Sequence, residues 1–221
     1  MGQRILVINP NSSERVTRDI DAAVEGLRFQ DGPAIDCTTL AEGPPGIENQ
    51  VQVDSVILPL LKLAERESNR TSAFVIACFS DPGIYSLRER LEQPVLGIAE
   101  SGFSVALTRG DRFGIISILA RSIPRHRRYV ASLGLSGRLA GDRAVGLNVS
   151  ELREADRVTE RLADVGSELR QRDGAEVLIL GCAGMAGYRQ ALQEHVGIPV
   201  VDPTQAAVGL ALTALRSEAS S

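Results

Sequence analysis

The sequence reads FVIACFSDPG at residues 74–83 and VLILGCAGMAG at residues 177–187. Each stretch is an apolar run of strand length that ends in a cysteine, Cys78 in the first and Cys182 in the second. Small residues and glycine follow each cysteine, and a helical pattern comes next. In open α/β sheets, ligands bind at the carboxyl ends of the strands. The two stretches therefore predict two thiols that face each other across one substrate.

The rest of the chain alternates strand and helix patterns, starting with an apolar run at residues 4–8. Such alternation is typical of an α/β fold with parallel sheets and flanking helices. Two of the predicted elements bear on the comparison with the structure. Residues 51–67 are expected to form one helix with a kink at Pro59, and residues 144–147 are expected to form a strand.

The two halves of the sequence resemble each other. When the two cysteines are aligned, Gly83 aligns with Gly187. After one inserted residue, the Ala-Leu-Thr segment at 106–108 aligns with the Ala-Leu-Thr segment at 211–213. Such a repeat predicts two structurally similar halves. Pseudo-two-fold symmetry between them would bring two equivalent strand ends to a shared cleft.

Composition excludes several classes of protein. The chain has 221 residues, is 43% apolar and carries a net charge of −4. This mild charge favours neither a nucleic-acid partner nor a polybasic membrane contact, and no apolar run approaches the roughly 18 residues that span a bilayer. Three cysteines do not suggest a disulfide framework, and the N-terminus shows no signal-peptide pattern. We therefore expect a cytoplasmic protein with reduced thiols and a small-molecule substrate.

The scarcity of lysine and histidine narrows the chemistry further. The only lysine, Lys62, falls on the polar side of a predicted helix, so pyridoxal phosphate chemistry is not expected. The two histidines, His126 and His195, are far apart and lie in no metal-ligand spacing. We expect neither a cofactor nor a metal.

Several polar residues have two interpretations at this point. The loop at residues 9–11 is either a turn with a helix cap or a ligand-binding loop. Asp81 is a turn residue or a general base, and Glu100 is a helix-start carboxylate or a substrate-positioning residue. The basic cluster at residues 125–128 predicts a solvated helix face, with an interface or an anion contact as the alternative. Cys37 is interpreted as a small buried residue of a strand.

Four segments together carry a resemblance to a known family: INPNS at 8–12, ACFSDPG at 77–83, GIAE at 97–100 and LGCAGM at 180–185. Through them the chain resembles the hydantoin and allantoin racemase family of the aspartate/glutamate racemase superfamily over nearly its whole length. The resemblance implies an active site in the cleft between two α/β domains and a C-terminal helix that returns to the first domain. We accordingly expect residues 1–97 plus 205–221 to form the first domain and residues 98–204 the second. The resemblance also suggests a homo-oligomer.

Racemisation at a carbon next to a carbonyl needs a base on one face and an acid on the other. Two cysteines can supply this pair, because a helix N-terminus can lower a thiol pKa from about 8.5 toward neutrality. Backbone amides after each cysteine could bind carbonyl oxygens as the enolate forms. The predicted catalytic residues are Cys78 and Cys182, and the predicted substrate-binding residues are Asn9, Phe79, Ser80, Ser117, Ala183 and Gly184.

The same scaffold is compatible with other functions. An amino-acid racemase would bind a free carboxylate and ammonium group, and a maleate-type isomerase would use one cysteine as a covalent nucleophile. An arylmalonate-type decarboxylase keeps only the second cysteine, so Cys78 counts against it. A non-catalytic ligand-binding protein has no need for two thiols at equivalent positions. We therefore expect a cofactor-independent racemase of 5-substituted hydantoins or allantoin.

Overall fold

The strands form two four-stranded sheets in the computed structural model, which describes residues 2–147, 151 and 155–218. The first sheet contains β1 (Arg4–Asn9), β2 (Ala34–Thr39), β3 (Ala73–Ile76) and β4 (Val95–Gly97) in the order β2-β1-β3-β4. The second contains β5 (Phe113–Ser117), β6 (Leu139–Ala144), β7 (Val177–Leu180) and β8 (Val200–Val201) in the order β6-β5-β7-β8. Every pairing is parallel. The predicted α/β class with two similar parallel sheets is confirmed.

Helices connect the strands, as parallel pairing requires. They are α1 (Glu14–Val24), α2 (Gln50–Ser55), α3 (Ile57–Glu67), α4 (Ile84–Arg90), α5 (Ile98–Ala106), α6 (Ile123–Ser132), α7 (Ala155–Gln171), α8 (Arg189–Val196) and α9 (Pro203–Glu218). A 3₁₀ segment, Ala183–Tyr188, lies between β7 and α8.

The central strands are covered on both faces, which explains their uninterrupted apolar sequences. Phe74 of β3 and Leu178 of β7 are both completely buried. Each of these strands ends two residues before a cysteine, β3 before Cys78 and β7 before Cys182. The two sheets therefore present their thiols at equivalent positions, just beyond the carboxyl end of a buried strand.

The C-terminal helix packs against the first sheet although it follows the second one in the chain. Helix α9 contacts α5 and α1 and lies against β1, β3 and β4. The side-chain amide of Gln205 also donates a hydrogen bond to the carbonyl oxygen of Ala23, 2.8 Å away. The chain therefore returns from the second sheet to the first through α9, and the domain bounds themselves stay a prediction.

The helix predicted for residues 51–67 is instead two helices, α2 and α3, that meet at Val56. Proline lacks an amide hydrogen, and its ring would clash with the carbonyl four residues earlier in a continuous helix. Pro59 would meet the carbonyl of Ser55 in this way, and Ser55 is where α2 ends. Pro59 is tolerated in the first turn of α3, so the proline produces a break before itself rather than a kink.

The strand predicted for residues 144–147 lies earlier in the chain, at Leu139–Ala144. This strand is at the edge of the second sheet, where polar side chains are tolerated. Arg143 pairs there with Asp173 at 2.7 Å and with Glu168 at 2.8 Å. The apolar pattern misplaced the strand because Val145 and Leu147 are buried beyond its end.

The turn that follows Cys78 is tied to the start of α5 by Asp81. This buried residue has a φ of +42°, and its carboxylate accepts hydrogen bonds from the amides of Ala99 and Glu100, both at 2.9 Å. A Cβ atom on Gly97 would lie 2.1 Å from the carboxyl carbon of Asp81. Glycine at position 97 therefore provides the space that the buried carboxylate occupies.

Both carboxylates that had two interpretations lie at this helix start. Glu100 accepts a hydrogen bond from the amide of Gly97 at 3.4 Å and forms an ion pair with Arg88. Asp81 satisfies backbone donors that the first turn of a helix leaves without intrahelical partners. Helix capping therefore accounts for both side chains.

We predict that Gly97→Ala lowers the free energy of unfolding by about 2–3 kcal/mol, because the new methyl group overlaps the Asp81 carboxylate. Gly209→Ala is the matched control, since Gly209 lies inside α9 and the added methyl group would have no atom within 4 Å beyond its chain neighbours and the backbone of its own helix. It should raise stability by about 0.5–1 kcal/mol through helix propensity. Urea unfolding measures both, and an unchanged midpoint for Gly97→Ala would contradict the proposed packing.

Candidate active site

The two cysteines line one cavity of about 40 Å³. Six of the eight predicted site residues lie in its wall: Cys78, Phe79, Ser80, Cys182, Ala183 and Gly184. Both cysteines are half-buried and neither is in a disulfide. The cavity therefore lies where the carboxyl ends of β3 and β7 approach each other, and each half supplies one thiol.

The two thiols have matching backbone partners. The sulfur of Cys78 accepts a hydrogen bond from the amide of Ser80, and the sulfur of Cys182 accepts one from the amide of Gly184. In both cases the donor is two residues after the cysteine. A hydrogen bond to sulfur favours the thiolate, so the repeat reproduces the same local stabilisation in each half.

Burial nevertheless outweighs these donors. It raises the pKa of Cys78 to about 12 and the pKa of Cys182 to about 11. The positive charge of Arg125 acts in the opposite direction on Cys78, whereas the neighbouring Cys182 raises the pKa of Cys78 further. Burial therefore acts against the lowering that a helix N-terminus can give, because desolvation disfavours the charged form.

Helix α6 of the second half contacts the turn after Cys78, which belongs to the first half. Arg125 donates from Nε to Ser80 Oγ at 2.8 Å, and Tyr129 donates its hydroxyl hydrogen to Asp81 Oδ2 at 2.9 Å. The ring of His126 packs edge-to-face against the ring of Phe79, with a centroid distance of 5.2 Å. Helix α6 thus contacts each of the three residues that follow Cys78.

These contacts correct the interpretation of residues 125–128 as a solvated helix face. Arg127 and Arg128 are exposed, but His126 is only 3% exposed, and Arg125 lines the cavity together with it. Burial lowers the pKa of Arg125 from its usual value. Helical spacing offered one signal for His126, since it lies four residues before the buried Val130 on the same face of α6.

Asn9 lies behind the cavity wall. Its side-chain amide donates to Asn11 Oδ1 at 3.1 Å and to Thr17 Oγ1 at 3.0 Å, and its Oδ1 accepts from the backbone amide of Asn11 at 3.2 Å. Asn11 is the member of this loop that lines the cavity. Asn9 therefore fixes the loop, and Asn11 presents the polar group.

Ser117, like Asn9, lies behind the cavity wall and orients a residue that lines it. It is completely buried at the end of β5 and donates to Asp142 Oδ1 at 2.5 Å. Nδ1 of His126 lies 3.0 Å from Ser117 Oγ and 3.0 Å from Asp142 Oδ2. Ser117 is thus not part of the cavity wall, but it holds a histidine that is.

Cys37 lies away from this cavity. It is half-buried on β2, where burial and a hydrogen bond with Asp21 raise its pKa to about 12. Among the described residues, no group of three or more His, Cys, Asp or Glu side chains is arranged to hold a metal ion. No helix within the described ranges is both long and apolar enough to cross a membrane.

Comparison with known proteins places this chain among the racemases, a class of isomerases. Residues 5–211 match the model of the family described as Asp/Glu/Hydantoin racemase. The chain belongs to that family, and the resemblance in the sequence is confirmed.

Its relatives include the hydantoin racemase of Paenarthrobacter aurescens, 36% identical over 94% of this chain and 89% of that protein. The hydantoin racemase of Pseudomonas sp. (strain NS671) is 32% identical over 95% of this chain and 85% of that protein. The structure of allantoin racemase from Klebsiella pneumoniae superposes with a TM-score of 0.93 and 29% identity, covering 98% of this chain and 89% of the other. The protein is an isomerase of the racemase type.

We predict that iodoacetamide alkylates Cys78 and Cys182 slowly at pH 7, because their raised pKa values leave little thiolate. Only the thiolate reacts, so each rate should rise about tenfold per pH unit up to about pH 9.5 without a plateau. A Cys37→Ser background removes the third thiol, and peptide mass spectrometry separates the two sites. The urea-unfolded chain is the control and should level off near pH 9. A plateau near pH 7 in the folded protein would contradict the dominance of burial.

Proposed function

We propose that this protein racemises 5-substituted hydantoins, with Cys78 and Cys182 as the acid–base pair and no cofactor. Allantoin is itself a hydantoin with a ureido group at C5, so it belongs to the same substrate class. The observation that carries the proposal is that one thiol from each half lines the same cavity. The names of the relatives, hydantoin racemase and allantoin racemase, agree with this chemistry.

In the proposed reaction, the thiolate of one cysteine removes the hydrogen from C5 on one face of the ring. The electron pair moves into the adjacent carbonyl, which becomes an enolate oxygen. The thiol of the other cysteine then donates its proton to C5 from the opposite face. The first cysteine ends as a thiol and the second as a thiolate, so the pair is ready for the opposite enantiomer.

The surroundings of the sulfurs suit this exchange of roles. The amides of Ser80 and Gly184 stabilise whichever thiolate is present, and the amides of Phe79 and Ala183 are the proposed donors to the carbonyl oxygens. A thiolate with a raised pKa is a strong base, which favours removal of a carbon-bound proton. Arg125 adds positive charge beside Cys78, where negative charge develops.

The charge of the cavity wall favours a neutral ring over a free amino acid. Arg125 is the only arginine or lysine among the described lining residues, and these residues include no aspartate or glutamate. An amino-acid racemase would need an acceptor for the substrate ammonium group, and a buried ammonium without a carboxylate partner is costly. A hydantoin carries no ammonium group and makes no such demand.

The cavity must widen for this substrate. A volume of about 40 Å³ has room for about three water molecules, whereas a hydantoin ring with its two oxygens has seven heavy atoms. The hydrogen bonds from Arg125 to Ser80 and from Tyr129 to Asp81 join the two halves beside the cavity. We propose that these contacts loosen as substrate enters and re-form around it.

We also propose where the protein is located and that it assembles with copies of itself. Three thiols without a disulfide among the described residues fit a reducing compartment, so we propose a cytoplasmic location. The homo-oligomer is proposed from the family resemblance alone.

We predict that the protein exchanges the C5 hydrogen of pure D- and L-5-substituted hydantoins with deuterium oxide while optical rotation is lost. Cys78→Ala and Cys182→Ala should each reduce racemisation by at least about 100-fold. Each variant should still exchange the enantiomer whose hydrogen faces the remaining thiol, and the two variants should prefer opposite enantiomers. Nuclear magnetic resonance and polarimetry follow exchange and inversion separately.

Cys37→Ala is the matched cysteine control and should racemise at the wild-type rate, because Cys37 lies outside the cavity. Full racemisation by either single variant of the pair would rule out the two-thiol mechanism. If the wild type exchanged no hydantoin and no allantoin, the proposed substrate class would be wrong. Activity on a free amino acid or an unsaturated diacid would then indicate one of the other chemistries of this scaffold.

A further inference from the structure

His126 is a buried imidazole in the wall of the thiol cavity, and neither cysteine uses it. It is 3% exposed, and its ring packs against Phe79, the residue next to Cys78. Its Nδ1 atom lies 3.0 Å from both Ser117 Oγ and Asp142 Oδ2. A histidine held this firmly presents a fixed atom to the ligand rather than a mobile one.

The hydrogen-bond network determines which nitrogen carries the proton. Ser117 Oγ lies 2.5 Å from Asp142 Oδ1, so its only hydrogen is committed to that carboxylate. Both atoms near Nδ1 are therefore acceptors, the serine oxygen and the second carboxylate oxygen. Nδ1 must carry the hydrogen, and in the neutral ring Nε2 is left as an acceptor.

Nε2 has no hydrogen-bond partner among the residues that the structure describes, although its residue lines the cavity. Among the described residues, Nε2 is not one of the fully buried side-chain atoms that lack a partner, so it keeps surface toward the cavity, where a donor of a bound ligand can reach it. The amides of Ser80 and Gly184 donate to the thiol sulfurs, and the hydrogen bonds of His126 within the described residues include none with either cysteine. The donor that Nε2 lacks is therefore expected to come from the substrate.

We propose that Nε2 of His126 accepts a hydrogen bond from a ring N–H of the substrate and thereby selects cyclic ureides that carry this hydrogen. This inference rests on the proposed function, since it concerns the same cavity and the same class of substrate. Asp142 and Ser117 are positioning residues, because they act by fixing the tautomer of His126. Arg125, the adjacent residue on α6, supplies donors to the same cavity.

Arg125 and His126 together offer a donor and an acceptor that complement the hydrogen-bonding groups of a cyclic ureide. Arg125 directs Nε to Ser80 and Nη2 to Ser122, and its Nη1 atom has no hydrogen-bond acceptor among the described residues. A ureide presents a carbonyl acceptor beside an N–H donor along one edge of the ring. The guanidinium of Arg125 can donate to that carbonyl while the imidazole of His126 accepts from that N–H.

The test compares a 5-substituted hydantoin with its N1-methyl and N3-methyl analogues. In the wild type, methylation of the nitrogen that faces His126 should lower kcat/KM by roughly 10- to 100-fold. His126→Phe keeps a ring against Phe79 but removes the acceptor. It should lower kcat/KM for the parent hydantoin by a similar factor and show no further loss on methylation. Equal methylation losses in the wild type and in the variant would overturn the inference.

Two measurements keep the test independent of whether His126→Phe folds well. Nitrogen-15 resonances of labelled histidine report the tautomer directly, and His195→Gln assigns them because the chain has only two histidines. The inference requires the neutral Nδ1–H form, and an Nε2–H form in the wild type would contradict it. In Asp142→Asn, the new carboxamide can donate to Nδ1 and convert Nε2 into a donor, so the methylation effect should disappear while the imidazole remains.

Failure of the inference and failure of the proposed function give different results. If the wild type does not racemise the parent hydantoin, the proposed function is wrong. If it racemises the parent and both methylated analogues at similar rates, the function stands and His126 is only a packing residue.

Discussion

Burial of two thiols at the ends of two buried strands is the constraint on which the rest of this molecule depends. Burial raises the pKa of each thiol, and a backbone amide two residues further on, from Ser80 or Gly184, acts in the opposite direction. The turn that contains Ser80 is itself held in place by hydrogen bonds from α6 and by the hydrogen bond between Asp81 and α5. Residues that are distant in sequence therefore act together to fix the backbone beside an ionisable thiol.

The strands and the cysteines were predictable because their signals are local. An apolar run of four to five residues that ends in glycine and small residues specifies a buried strand, and the repeat places its cysteine. Helix α2 and strand β6 were less predictable. The helix breaks about one turn before Pro59 rather than bending at it. Strand β6 lies at the edge of its sheet and includes the ion-paired Arg143, so an apolar pattern does not reveal it.

The role of α6 was not predictable from the sequence, because it depends on residues that meet only in the folded chain. Ser117, His126 and Asp142 come from a strand end, a helix and an edge strand. In the sequence, His126 stands among three arginines and looks solvated. The pseudo-symmetry of the strands also does not extend to these side chains: Asn9 organises the loop of one half and Ser117 the histidine of the other. Equivalent thiols therefore have unequal surroundings, which suits a substrate that lacks the symmetry of the repeat.

The position of α9 affects how the chain folds during its synthesis. The ribosome releases the first sheet early, but the helix that covers part of it, Pro203–Glu218, is translated only after the whole second sheet. Until then, the surface formed by β1, β3 and α5 has no permanent cover. A sheet whose covering helix is translated after the other sheet cannot complete its core before that helix is made. The first half must remain partly assembled while the second half emerges, so the two halves reach their native state together.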